Sequence, residues 1–262
     1  MSTSKILSEK FDGIGLLTFN NPERHNAVSL DMWDAVEARL EDFIADDGVR
    51  VVVITGAGGK AFVSGADISK FEDERGDREA IIQYNTRVRA VYDGIHALPK
   101  PTIAMIDGFC LGGGLALAVS CDLRFCSEKS KFGLPAAKLG LGYPFEGLKR
   151  LVDTIGPGAA RDITFSARRI DAEEALRIGL VQNVVPEEEL RDFVVDYAKT
   201  VAANAPLTVK AMKFIINETR KDPDARDLDA CRDLEGAAFA SQDYIEGRRA
   251  FMEKRPPRFK GK

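Results

Sequence analysis

The sequence predicts an α/β protein closed by a helical C-terminal segment, and three observations carry that prediction. Short, continuously apolar runs rich in β-branched residues, such as Val49 to Thr55 and Thr102 to Ile106, suit strands buried on both faces. They alternate with longer amphipathic stretches across glycine-rich joints, the pattern of strands and helices layered around a core. After Asn204-Ala205-Pro206 the texture changes to helix-forming, charge-rich sequence up to Lys254. The expected division is therefore an α/β body over 1–203 and a helical module over 204–262.

In chain order, Ile14 to Phe19 reads as a short strand and Asn20-Asn21-Pro22-Glu23 as a turn. Ser29 or Asp31 is placed to cap a helix running to about Ala45, with Met32, Val36, Leu40 and Ile44 on one stripe. Gly56 breaks the strand that follows, Ser64-Gly65-Ala66-Asp67 forms a turn, and Arg78 to Leu98 reads as a helix closed by Pro99 and Pro101. Beyond the strand at Thr102 to Ile106, Gly108 and Gly112-Gly113-Gly114 lead into a small-residue helical segment, Leu115 to Ser120. Leu123 to Cys126 returns as a strand.

Composition narrows the function classes. A chain of 262 residues, 45% hydrophobic and 30% charged, buries a sizeable core without metals or bridges. Its 37 basic and 41 acidic residues leave a formal charge of −4, against the basic balance of a dedicated nucleic-acid binder. Cys110, Cys121, Cys126 and Cys231 form no CxxC pair and read as reduced structural thiols. His25 and His96 stand too far apart to suggest a zinc site or a Ser/His/Asp triad, so no metal is expected. No apolar run approaches the roughly 18 residues of a membrane span, and the first ten residues lack a signal peptide's apolar core. A cytoplasmic protein without membrane or nucleic-acid partners is the expectation. Asp122 and Arg124 read as residues that hold the core together.

Three glycine-rich stretches bear on chemistry. Gly56-Ala57-Gly58-Gly59-Lys60-Ala61 follows a strand and fits GxGxxA, yet a dinucleotide loop should open a long helix, whereas another turn arrives at Gly65. A nicotinamide or flavin site is therefore not expected. Ser64-Gly65-Ala66-Asp67-Ile68 and Gly108 to Gly114 each follow a buried strand and expose backbone where side chains are nearly absent. Free N–H groups at a helix start are what a developing oxyanion needs, and together the two stretches support one site.

At these residues the sequence resembles the crotonase superfamily, the enoyl-CoA hydratase and isomerase proteins. The matching segments are Asn21 to Ala27, Lys60 to Ile68, Ile106 to Gly114, Cys121 to Arg124, Phe132-Gly133, Ala175 to Val181, and the tail from Glu246-Gly247 through Phe251 to Lys254-Arg255-Pro256. They run in consistent order over nearly the whole chain. The resemblance implies a spiral of ββα turns followed by a helical segment that builds a homotrimer, often paired into a hexamer. It also implies an acyl-CoA substrate whose thioester oxygen is held by two backbone N–H groups, by position those of Ala66 and Gly113. No cofactor is implied beyond the coenzyme A of that substrate. Arg24, Lys60, Ala66, Asp67, Ile68 and Lys70 lie on segments that line the CoA site in proteins of this kind. By the same likeness Phe251 and Lys254 reach the adenosine end of CoA, from this or a neighbouring subunit. The last 15 residues, Arg248 to Lys262, carry a net charge of +6, which equally suits a solvated basic tail.

The sequence then leaves the hydratase pattern. Hydratases of this superfamily use two glutamates around one water, and at the matching positions this chain has Ala116 and Ala136. Alanine neither carries a proton nor orients water, so the ordinary hydration mechanism loses both its groups. What replaces them is expected in the loop Leu139 to Leu148. Tyr143 there resembles the pattern of methylmalonyl-CoA decarboxylases, although Ser69 stands where those offer histidine. Naphthoate synthases also lack both glutamates and place an aspartate nearby. Glu146 falls in a Gly/Pro-framed turn by the expected acyl pocket, where an apolar setting would favour proton transfer. Tyr143 or Glu146 is thus expected to handle the proton, with Ala66 and Gly113 as oxyanion donors. The alternatives are a packed tyrosine and a helix-capping glutamate. The reactions left open are isomerisation, decarboxylation, carbon–carbon hydrolysis and an atypical hydration. A non-catalytic acyl-CoA-binding protein of the same fold is the competing expectation. Acyl specificity is expected from walls drawn from Phe71 to Ile95 and Leu141 to Leu148.

Overall fold

Ile6–Phe11 (β1) and Ile14–Phe19 (β2) fold back on each other across Asp12-Gly13, with Phe11 opposite Ile14. In this computed structural model, which describes residues 4–70 and 76–262, β1 goes beyond the expected elements, since only Ile6 of its residues is buried. Val51–Gly56 (β3), Thr102–Ile106 (β5), Leu123–Ser127 (β7) and Asn183–Val185 (β10) then add in parallel, giving a six-stranded sheet in the order β1-β2-β3-β5-β7-β10. Ala61–Val63 (β4), Phe109–Leu111 (β6), Lys131–Gly133 (β8) and Ile170–Asp171 (β9) make a second sheet in the order β4-β6-β8-β9.

The chain passes from β3 to β4, from β5 to β6 and from β7 to β8, each time leaving the large sheet for the small one before entering a helix. The helices are Arg78–Ala97 (α2), Gly113–Ser120 (α3) and Phe145–Ser166 (α4), the last bent at Gly156. Three ββα turns thus wind as a spiral. Leu30–Ala45 (α1) precedes them, and Ala172–Arg177 (α5) and Leu190–Ala202 (α6) follow.

The apolar runs are continuous because both faces of the large sheet are covered. Val52, Ile54, Ala104 and Ile106 point into the main core with α1, whereas Val51, Val53, Ile103 and Met105 meet Leu190, Val194, Ala198 and Ala202 of α6. On α1 the buried stripe is Met32, Trp33, Val36, Leu40 and Phe43, while Ile44, expected on it, is 42% exposed. Four residues overshoot a helical turn by about 40°, so Ile44 lies about 120° from Met32, and Phe43 only about 20°. Ser29 is the N-cap of α1, but its hydroxyl turns to Asp31 instead of the backbone.

Arg124 is buried and donates to the carbonyls of Leu180 (2.6 Å), Cys121 (2.8 Å) and Ala118 (3.3 Å), tying β7 to the end of α3 and to the segment after α5. Asp122 accepts the Thr102 N–H at 2.7 Å and pairs with Lys213 at 2.8 Å. Lys213 lies on Pro206–Thr219 (α7), which with Leu228–Ala240 (α8) and Gln242–Met252 (α9) forms the C-terminal module. Arg50 also holds that module, donating to the carbonyls of Ala202 and Phe259. No described helix is long and apolar enough to cross a membrane.

Candidate active site

Two backbone segments meet at the start of α3. Residues 64–67 zip alongside 25–28, through the Val28 N–H to the Gly65 carbonyl and the Asp67 N–H to the Val28 carbonyl, both 2.9 Å. That pairing leaves the Ala66 N–H turned away from residue 28. Gly113 opens α3, where no preceding turn supplies an acceptor. Among the described residues neither the Ala66 nor the Gly113 N–H finds a backbone acceptor.

The two nitrogens border one small space. A Cβ on Gly113 would stand 3.9 Å from the Ala66 nitrogen and 3.1 Å from the Tyr92 hydroxyl, and one on Gly65 would stand 3.8 Å from the Gly113 nitrogen. Gly65 has φ +119°, a conformation that side-chain-bearing residues avoid. Gly114 lets α3 lie directly on β4, since a Cβ there would fall 1.9 Å from the Val63 carbonyl oxygen. Two unpaired N–H groups at the positive end of a helix can hold an oxygen that gains negative charge.

Ala116, one turn into α3 from Gly113, is buried, and Ala136 is half-buried in the 3₁₀ turn Pro135–Leu139 that follows β8. Tyr143 packs its half-buried ring against the main core beside Gly147, and burial pushes its phenol above the ordinary range. Glu146 does not cap α4, whose N-cap position is Pro144; it sits within the first turn. Nor does it stand in a purely apolar setting: Oε1 pairs with Arg89 at 3.1 Å. Oε2 is sealed from solvent and takes no hydrogen bond among the described residues.

The expected CoA contacts separate into two groups. Arg24 and Asp67 meet at 3.1 Å, and Asp67 also accepts the Ser69 N–H (3.1 Å) and hydroxyl (2.7 Å). Burial raises the Asp67 carboxyl, but the Ser69 hydrogen bonds and the Arg24 guanidinium outweigh it and hold it below the usual carboxylate range. Arg24 remains half exposed, and Lys60 and Lys70 are exposed, Lys70 ending the 3₁₀ turn that Ile68 opens. Phe251 and Lys254, by contrast, are exposed on the C-terminal module. Phe251 lines an apolar groove of about 970 Å³ with Met212, Phe239 and Tyr244, away from the Ala66–Gly113 pair. Phe71, expected at one end of the acyl-pocket wall, lies outside the described residues.

Sequence reasoning drew the acyl-pocket wall through α2 but singled out none of its side chains. Tyr92 donates to the Gly113 carbonyl at 3.0 Å and packs edge-on against Trp33, and Arg89 holds Glu146. One turn on, Asp93 pairs with Arg150 of α4. The signal lay in spacing: Arg89 and Asp93 on one helix, and Glu146 and Arg150 on another, are opposite charges four residues apart. Nothing local says that the two helices are neighbours.

Comparison with known proteins agrees over the full length. The family described as enoyl-CoA hydratase/isomerase matches residues 9–262. A crotonyl-CoA hydratase of Syntrophomonas wolfei is 37% identical over 259 residues, 99% of either chain, and a short-chain-enoyl-CoA hydratase of Clostridium acetobutylicum is 35% identical over 97% of each. The crystal structure of an enoyl-CoA hydratase/carnithine racemase from Magnetospirillum magneticum superimposes with a TM-score of 0.94 at 35% identity, covering 100% of this chain and 97% of that one.

Proposed function

This chain belongs to the enoyl-CoA hydratase/isomerase family, and from that premise we propose that it processes an acyl-CoA thioester through an enolate, using one carboxylate in place of the usual pair. The observation that carries the proposal is the convergence of the Ala66 and Gly113 nitrogens on one side-chain-free space. A thioester oxygen seated there takes two N–H hydrogen bonds, each worth about 3 kcal/mol when charge develops on it. The C–H bond beside the thioester breaks, its proton passes to the Glu146 carboxylate, and its electron pair moves onto the oxygen. Tyr143, a phenol that is protonated at neutral pH, supplies a hydroxyl donor to the acyl pocket. With alanine at 116 and 136, two-glutamate hydration is the reaction this site is least equipped for, although several relatives carry hydratase names. Isomerisation returns that proton to another carbon of the acyl chain, decarboxylation reaches the same enolate by releasing carbon dioxide and then takes one proton, and carbon–carbon hydrolysis uses a bound water in addition.

Arg24, Lys60 and Lys70 are proposed to meet the phosphates of CoA, with Asp67 keeping Arg24 in place and the backbone of residues 66–68 against the pantetheine arm. Phe251 and Lys254 are proposed to serve a neighbouring copy. The apolar face of α7, α8 and α9 supports self-association as a trimer or a dimer of trimers, which light scattering behind size exclusion would measure.

The test is mass spectrometry of enoyl-, malonyl-type and β-ketoacyl-CoA esters incubated with the protein in deuterated water. Deuterium wash-in beside the thioester, loss of carboxylate or chain cleavage would each establish enolate chemistry and name the reaction. Glu146→Gln is expected to slow whichever is found by about a hundredfold, and Tyr143→Phe by about tenfold. Esters bound but unchanged throughout would make this a binding protein.

A further inference from the structure

The ion pairs between α2 and α4 share one register. Arg89 meets Glu146, and four residues on along both helices Asp93 meets Arg150. Residues four apart share a helix face, so one face of α2 meets the start of α4, the two pairs following in the same direction along both helices with their charges crossed. Sliding α4 by one turn would set Arg150 against Arg89 or Glu146 against Asp93, so the pattern admits one alignment only. Three residues beyond Arg89, Tyr92 reaches the Gly113 carbonyl. One face of α2 therefore touches both the start of α3 and the Glu146 carboxylate.

The two oxygens of that carboxylate are unequal. Oε1 is held by Arg89, while Oε2 is buried without a hydrogen bond among the described residues. A buried acceptor left unsatisfied is costly in a folded protein and calls for a reason. The Arg89 and Glu146 side chains are 48% and 39% exposed, too open for their pair to add much stability. We propose that Arg89 is the positioning residue of Glu146, clamping Oε1 and so fixing the direction of the carboxylate toward the carbon beside the thioester. This rests on the reading of Glu146 as the proton carrier. Arg89 acts by removing the rotation and the second hydrogen-bonding choice that a free carboxylate would keep.

The experiment uses the full chain and acetoacetyl-CoA, whose enolate has its own ultraviolet band. Stopped-flow mixing follows growth of that band, and titration gives the affinity. Proton loss from the central carbon to the Glu146 carboxylate leaves the charge on the oxygen that faces Ala66 and Gly113. Arg89→Met is expected to slow the band about tenfold with affinity within about twofold, and Arg89→Lys to recover a large part of the rate. In the Glu146→Gln background Arg89→Met should add nothing, because its effect runs through that carboxylate. Asp93→Asn removes the neighbouring ion pair between the same helices and should leave the rate within about twofold of the parent. Should Arg89→Met fail to fold, Arg89→Gln takes its place.

A slow Glu146→Gln beside a wild-type Arg89→Met overturns the role of Arg89 and leaves that of Glu146. An additive double variant does the same, as does an Asp93→Asn as slow as Arg89→Met. A wild-type rate in Glu146→Gln, or no enolate band from the parent protein, overturns the proposed function and this inference with it.

Discussion

The α/β body and the C-terminal module are held together by different means. In the body the closest approaches are backbone on backbone: Gly114 brings α3 onto the Val63 carbonyl, and Gly108 brings the start of β6 onto Lys60. Its core is filled by Trp33, Phe19, Phe43, Phe62, Phe125 and Phe132, all nearly inaccessible. In α7, α8 and α9 the order is reversed. The only buried residues of α7 and α9 are Ala211, Glu218, Asp243 and Ala250, and α8 buries none. The large apolar side chains are outside, with Met212 at 58%, Phe239 at 59% and Phe251 at 82% exposed. The body spends its apolar residues on its own fold, and the module presents them. A reaction that depends on two N–H groups kept in place needs the first arrangement, since packing that cannot collapse leaves the donors nowhere to move.

The contrast can be broken from the body's side first. Replacing Arg124 by Met would strand the carbonyls of Leu180, Cys121 and Ala118, and should destabilise the protein by about 4 kcal/mol in denaturant titration. A loss under about 1 kcal/mol would mean that water or rearrangement replaces the guanidinium. Gly114→Ala comes next, with an expected loss of about 2–3 kcal/mol and a larger proportional loss of enolate formation, because α3 must lift off β4 and carry Gly113 with it. Retained stability and rate would show that the spiral yields where it looks most rigid.

Thiol chemistry sharpens the comparison. Burial pushes Cys121 and Cys126 up to about 12 and Cys110 well above its ordinary value, all three within the body, whereas Cys231 lies part-exposed on α8. Iodoacetamide at neutral pH should label Cys231 alone in the native protein and all four after unfolding, read by intact mass.

The smallest effect belongs to the module. Arg255 grips Glu246 through two nitrogens, and the N–H of Arg258 adds to it. Together, Arg255 foremost, they lower the Glu246 carboxyl from 4.5 to about 2. A depressed carboxylate contributes its stability above the unfolded value and loses it as pH falls toward the folded one. The tail after α9 should therefore loosen between about pH 4.5 and 2, seen as faster amide exchange at 254–260 with the body still protected. Glu246→Gln should show that exchange already at neutral pH.

Much of the body was legible in sequence because its signals are local. Continuous apolar runs marked β3 and β5, proline closed α2, and the glycine clusters marked the joints at Gly65 and Gly112 to Gly114. Even the misplaced Ile44 follows from the helical period, which puts Phe43 on the stripe. The Ser29 hydroxyl, in contrast, had two acceptors within reach, and only the local geometry selects Asp31.

By itself the sequence determined strands β2, β3, β5 and β7, helices α1 to α3, the family, and the absence of carboxylates at 116 and 136, since each is written in neighbouring residues or in a fixed order of motifs. The resemblance had already paired Ala66 with Gly113; the tertiary structure supplied how closely they approach and alone decided that Arg89 meets Glu146. Ala66 and Gly113 are separated by one spiral turn, and Arg89 and Glu146 by nearly two. Their meeting depends on helix register and on how closely backbones approach, both of which are settled by the whole core packing at once. Charge on a helix face can be read from spacing, but its partner is chosen only when two helices lie side by side.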